Sequence, residues 1–183
     1  IVYNTSQLYR DDRLDQLKMA LSRATAEGFI YAVKIVRGAY MEKERARALT
    51  LGYPSPIQAD KASTDHDYNA ALDFLVEHKD IFSVCAGTHN EKSSLYLASL
   101  LQNEGIAPSN PSYFFAQLLG MSDHISYNLS NAGYKVAKYV PFGPVNEVLP
   151  YLLRRADENT SVAGQTSREL GLLIKEKARR KQA

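Results

Sequence analysis

Short runs rich in β-branched and aromatic residues alternate with longer stretches whose apolar residues recur every three or four positions, and this alternation restricts the chain to an α/β architecture. Strands are expected at residues 1–5, 29–36, 81–86, 113–119 and 134–140. Helices are expected at 13–27, stopped by Gly28, at 39–51, stopped by Gly52, at 62–78, at 90–104 with Asn90 as N-cap, at 145–158 behind Pro144, and at 167–180. Strands separated by helices imply a parallel sheet, because a parallel return needs a long crossover. Two arrangements satisfy that condition: a doubly wound open sheet, or about five of the eight strands of a (βα)8 TIM barrel. Periodicity does not choose between them.

The 183 residues are 45% apolar and contain no low-complexity tract, enough for one domain (1–183) with a sizeable core. Twenty-two basic and twenty acidic residues leave a charge of +2, which argues against a nucleic-acid partner. The basic run at 175–181 reads as a solvated helix end, where cations suit the macrodipole. The lone Cys85 excludes an internal disulfide and sits in an apolar run, as a buried, inert thiol would. His66, His78, His89 and His124 lack the spacing of a metal site, and no stretch reads as a signal peptide or a membrane span. The chain opens at Ile1, without methionine and inside an expected strand, as a fragment of a longer protein would.

Functional groups of α/β proteins gather at the C-terminal ends of the strands, and here those ends are polar. They read Asn4-Thr5-Ser6-Gln7, Lys34-Ile35-Val36-Arg37-Gly38-Ala39-Tyr40, Gly87-Thr88-His89-Asn90 and Lys138-Tyr139-Val140-Pro141-Phe142-Gly143. Lys34 lies inside an apolar strand, so it either points into a polar cavity or faces solvent from an edge. Arg37, just before Gly38, stands where a guanidinium can hold a phosphate. His89 either caps the following helix or contacts a ligand. On the wheel of 145–158, Val148, Leu149, Leu152, Leu153 and Ala156 share one side. Tyr151, Arg154, Arg155 and Glu158 share the other, which is either a solvated face or a fork for a small carboxylate.

The segments Lys34-Ile35-Val36-Arg37-Gly38-Ala39-Tyr40 and Tyr151-Leu152-Leu153-Arg154-Arg155, with Tyr139 between them, resemble the signatures of the proline dehydrogenases. Asn4-Thr5-Ser6-Gln7, Thr88-His89-Asn90 and Gln117-Leu118-Leu119-Gly120-Met121 extend the likeness from Ile1 to about Ser161, nearer the monofunctional enzymes than the fused bacterial form. The resemblance implies a distorted βα barrel that holds FAD at its strand ends, without a Gly-rich dinucleotide fingerprint. It implies that Gln7 and Lys34 meet the flavin ring, that Arg37, Gly38, Ala39 and Tyr40 line the cofactor, and that Thr88 and His89 reach its adenosine half. Arg154 and Arg155 would bind the carboxylate of L-proline, Tyr139 and Tyr151 would pack on its ring, and Glu158 would anchor the ribose region or the arginine helix. The implied reaction is oxidation of proline to pyrroline-5-carboxylate, with electrons passed to a quinone. The site of action would be peripheral on the bacterial inner membrane, cytoplasmic, or mitochondrial in a eukaryote. By the same resemblance an acidic residue, a lysine and an aspartate of the substrate pocket precede Ile1. The competing expectation is a half barrel, inactive alone, whose open edges self-associate.

Overall fold

The structure, a computed structural model, describes the backbone of residues 2–161 and 163–182, and their side chains except at 154–169, 172 and 182. The chain divides into two compact units, one up to Tyr139 and one from Val140.

In the first unit the elements run β1 (Asn4–Gln7), α1 (Arg13–Glu27), β2 (Tyr31–Val36), α2 (Met41–Leu51), α3 (Lys61–Glu77), β3 (Phe82–Gly87), α4 (Glu91–Asn103), β4 (Tyr113–Leu118), α5 (Asp123–Asn131) and β5 (Val136–Tyr139). The strands form one sheet in the order β1-β2-β3-β4-β5, every pair parallel. Sequential order without a reversal lacks the switch point of a doubly wound sheet. The helices that pack on the sheet also lie on one of its faces. Their core joins Val33, Ile35, Val84, Ala86, Tyr113 and Phe115 of the strands to Leu17 of α1, Tyr68, Leu72 and Leu75 of α3, Leu97 and Leu101 of α4, and Ile125 and Leu129 of α5. Parallel strands in chain order with helices outside are the repeating unit of a (βα)8 barrel, of which the chain supplies five strands.

Two expectations need correction. The first strand lies at Asn4–Gln7, not 1–5, because these polar residues pair in register with Val33 to Val36 of β2. Gln7 therefore belongs to the strand itself. Helix α5, not expected from the sequence, anchors its polar turns through Ile125, Ser126 and Leu129. Elsewhere the elements stand within about four residues of the expected bounds, including α6 (Val145–Ser161) and α7 (Ala163–Gln182) in the second unit. Asp60 and Asn90 cap α3 and α4, each accepting a hydrogen bond from the backbone N–H three residues on, at 2.7 and 3.2 Å.

Phe115 is fully buried where β4 meets Tyr134 edge-on. Phe115→Ala should destabilise the fold by about 3 to 5 kcal/mol, read as a shifted midpoint in urea denaturation.

Candidate functional site at the strand ends

Strand parity decides what the second sheet face carries. Because Val33 and Ile35 turn toward the helices, Lys34 and Val36 turn the other way. Register places Gln7 opposite Val36, Cys85 opposite Lys34, Ala116 opposite Gly87, and Tyr139 opposite Leu118 on that same face. A lane of small residues, Gly87, Ala116 and Ala137, crosses it between Lys34 and Tyr139. A Cβ on Gly87 would stand 2.9 Å from Val36 Cγ1 and 3.1 Å from Lys34 Cε, so the missing side chain is what lets Lys34 lie across β3. Lys34 Nζ ends 5.7 Å from the centre of the Tyr139 ring, within cation–π reach. Of the sequence-derived candidates, Lys34, Tyr139 and Gln7 are thus brought to one surface.

Cys85 is half-buried on this face beside Lys34, rather than in the helix-side core. Burial pushes its thiol up, against a smaller opposing pull from Lys34, so it stays protonated near neutral pH.

Arg37 takes the other direction, toward the helices. Its Nε donates to Asp65 of α3 at 2.5 Å, Nη1 to Thr88 Oγ1 at 2.8 Å and Nη2 to Ser93 Oγ of α4 at 3.0 Å. The guanidinium carbon lies 4.4 Å from the centre of the buried Tyr68 ring. Burial raises the Asp65 carboxyl, yet hydrogen bonds from Lys61 and Arg37 outweigh it and hold the group below its ordinary value. Thr88 Oγ1 also accepts the Asn90 N–H at 3.0 Å, so Arg37 and the start of α4 share one oxygen. His89 Nδ1 pairs with Ser122 Oγ at 2.9 Å, which ties the loop after β3 to the loop after β4. Lys138 of β5 holds the segment before α5 from the other side, donating to Met121 O and Asp123 Oδ1, both at 2.8 Å.

Gly38 and Ala39 join β2 to α2, which opens at Tyr40. Gly38 has φ +124°, and a Cβ there would fall 1.4 Å from Tyr9 Cδ1, inside the ring packed on it. Tyr9 donates to Glu44 of α2 at 3.0 Å, and burial together with Glu44 pushes its phenol up to about 12. Arg10 donates to the same carboxylate at 2.9 Å. The loop after β1 is thereby fastened to the loop after β2. Sequence reasoning missed Tyr9, Glu44, Tyr68, Asp65, Ser93 and Gly87; only the polar, helical spacing of Asp65 and Tyr68 carried a usable signal.

Tyr151 lies on α6 in the second unit, half-buried. The side chains of Arg154, Arg155 and Glu158 lie outside the described residues, although their backbone is helical.

The proline dehydrogenase family model matches residues 1–168. The chain belongs to the proline dehydrogenase family. It is 42% identical to mitochondrial proline dehydrogenase 1 of Homo sapiens, over 98% of this chain and 30% of that protein. It is 40% identical to hydroxyproline dehydrogenase of Xenopus laevis, over 98% of this chain and 39% of that protein. The chain therefore spans well under half the length of these relatives. Among solved structures it is similar to proline utilization A from Bdellovibrio bacteriovorus inactivated by N-propargylglycine, with a TM-score of 0.80 and 27% identity over 85% of this chain and 16% of that one. In this family member, the shared fold is the barrel segment described above.

Two outcomes test the geometry. Gly38→Ala should disrupt the β2–α2 loop and lower Tm by several degrees, since the position combines left-handed φ with ring contact. Because the folded Asp65 carboxyl titrates below its unfolded value, the stability it adds is present above the unfolded pKa of about 4 and is lost as pH falls through the folded value. Asp65→Asn should accordingly narrow its gap to wild type in Tm as the pH is lowered below about 4.

Proposed function

We propose that this chain forms the flavin and substrate portion of an FAD-dependent enzyme that oxidises L-proline to pyrroline-5-carboxylate and passes the electrons to a quinone. The observation that carries the reading is the sheet face that Gln7, Lys34 and Tyr139 share at the strand ends of a proline dehydrogenase family member. Family membership implies a flavin, and the residues present fit one. The small residues Gly87, Ala116 and Ala137 leave room on the face that also carries the donors of Gln7 and Lys34.

Bound FAD supplies the acceptor for the hydride that leaves the proline ring carbon next to nitrogen. The protein supplies orientation. Lys34 makes no hydrogen bond or ion pair to protein among the described residues, which leaves its ammonium for the flavin ring near N5. Arg37 has two N–H groups beyond the three in its protein hydrogen bonds, and these serve the cofactor together with Gly38, Ala39 and Tyr40. Thr88 and His89 serve the adenosine half. By the family resemblance, Arg154 and Arg155 would clamp the substrate carboxylate, Tyr139 and Tyr151 would pack on the pyrrolidine ring, and Glu158 would anchor the ribose region or the arginine helix. Wet, flexible placement of the carboxylate would defeat the reaction, because hydride transfer needs the carbon held against the acceptor. The relatives include a hydroxyproline dehydrogenase; by the family resemblance Tyr139 favours proline.

A quinone acceptor would bring the enzyme to a membrane surface. Among the described residues no helix is long and apolar enough to cross a membrane. Relatives from Homo sapiens and Caenorhabditis elegans are named mitochondrial, and the mitochondrial inner membrane, or its bacterial counterpart, is the proposed site of action.

Purified full-length protein should be yellow and should reduce a quinone or dye when given proline; a colourless protein that neither takes up FAD nor turns over proline would overturn the reading. Arg155→Met should raise the proline KM by about 10- to 100-fold, the worth of a charge-assisted hydrogen bond, with flavin content intact. An unchanged KM would remove the carboxylate role.

A further inference from the structure

Arg37 is held by a preformed stripe on α3. Asp65, Tyr68 and Asn69 stand at i, i+3 and i+4, so they share one face of that helix. Asp65 takes the Nε hydrogen of Arg37, the Tyr68 ring lies under its guanidinium, and Asn69 Oδ1 accepts from Ser93 Oγ at 2.9 Å. Ser93 in turn accepts from Arg37 Nη2, which closes the chain of contacts from α3 through α4 to the end of β2. Lys61 binds the outer oxygen of Asp65, one turn back along α3.

An arginine on a four-bond side chain has many rotamers, and locking one of them removes entropy that ligand binding would otherwise have to remove. The contacts also settle which of its hydrogens are left over. Nε is fully used, whereas Nη1 and Nη2 each keep one hydrogen. Thr88 Oγ1 receives both Arg37 and the Asn90 N–H, so displacing the guanidinium also loosens the loop that carries Thr88 and His89.

We propose that Asp65, Tyr68 and Asn69 are positioning residues that set the Arg37 guanidinium, and through it the loop after β3, in the orientation that receives the cofactor. The proposal rests on the reading of Arg37 and Thr88 as cofactor contacts. A purely structural latch between β2 and α4 would use the same bonds, so the test must read the flavin and not only the fold.

The experiment measures the FAD Kd of the deflavinated full-length enzyme by fluorescence quenching, the visible circular dichroism of the bound flavin, kcat/KM for proline and Tm. Asp65→Ala should weaken FAD binding by about 10- to 100-fold and alter the flavin dichroism. Asp65→Asn, which keeps an acceptor for Nε, should recover part of that loss, and Tyr68→Phe should recover most of the loss seen in Tyr68→Leu. In an Arg37→Ala background, Asp65→Ala should add nothing further to the FAD Kd, as expected of residues that act through one another. Variants that lower Tm while FAD Kd, dichroism and kcat/KM stay at wild-type values would overturn the proposal, and so would full additivity with Arg37→Ala. If Asp65→Ala does not fold, the same FAD Kd and dichroism measurements on Asp65→Asn and Tyr68→Leu decide between the positioning role and the latch. Wild-type protein that takes up no FAD would instead sink the functional reading, and the positioning role with it.

Discussion

The period-2 pleat of β2 is the constraint on which the site depends. One face of the strand must bury Val33 and Ile35 in the helix-side core, and the free energy of that burial holds the register. Lys34 is carried to the opposite face as a direct consequence. Slipping the strand by one residue would put an ammonium into the helix-side core and two aliphatic side chains onto the polar face, a change that desolvation of the charge makes prohibitive. A lysine inside an apolar strand is therefore compatible with stability here, because the packed face and the face that carries Lys34 use alternate residues.

Precision at the strand ends comes from a second device, the fastening of loops to one another. Tyr9 fills the space that Gly38 leaves open and reaches Glu44; Arg37 joins β2 to α3 and α4; His89 meets Ser122; and Lys138 holds the turn before α5. The loops after β1 to β4 are thus tied to neighbouring elements by charged or hydroxyl groups, at positions where the backbone has left the sheet ladder and needs other partners. Such stiffness at the rim fixes where the strand-end side chains stand.

Much of the architecture was legible from the chain. The alternation of short and long apolar periods located the strands and the helices that pack on them, and Gly28, Gly52 and Asn90 marked real ends. The shift of β1 to Asn4–Gln7 was hidden because its residues are polar and their ladder bonds come from β2, a partner distant in sequence. Helix α5 was hidden because only Ile125 and Leu129 anchor it among Asn and Ser residues. Lys34, Tyr139 and Gln7 were recognisable as candidates by residue type and position at strand ends. Their meeting on one face was not, since it follows from register between strands.

What the sequence determined by itself is the set of elements, the polar strand ends and, through its motifs, membership in the proline dehydrogenase family. What only the tertiary structure decided is direction: Lys34 to the open face, Arg37 to the helices, and Asp65 and Tyr68 as the partners that hold it. The physical reason is that local periodicity reports on neighbours three or four residues apart, whereas side-chain direction at a strand end is set by bonds to residues 28 to 56 positions away.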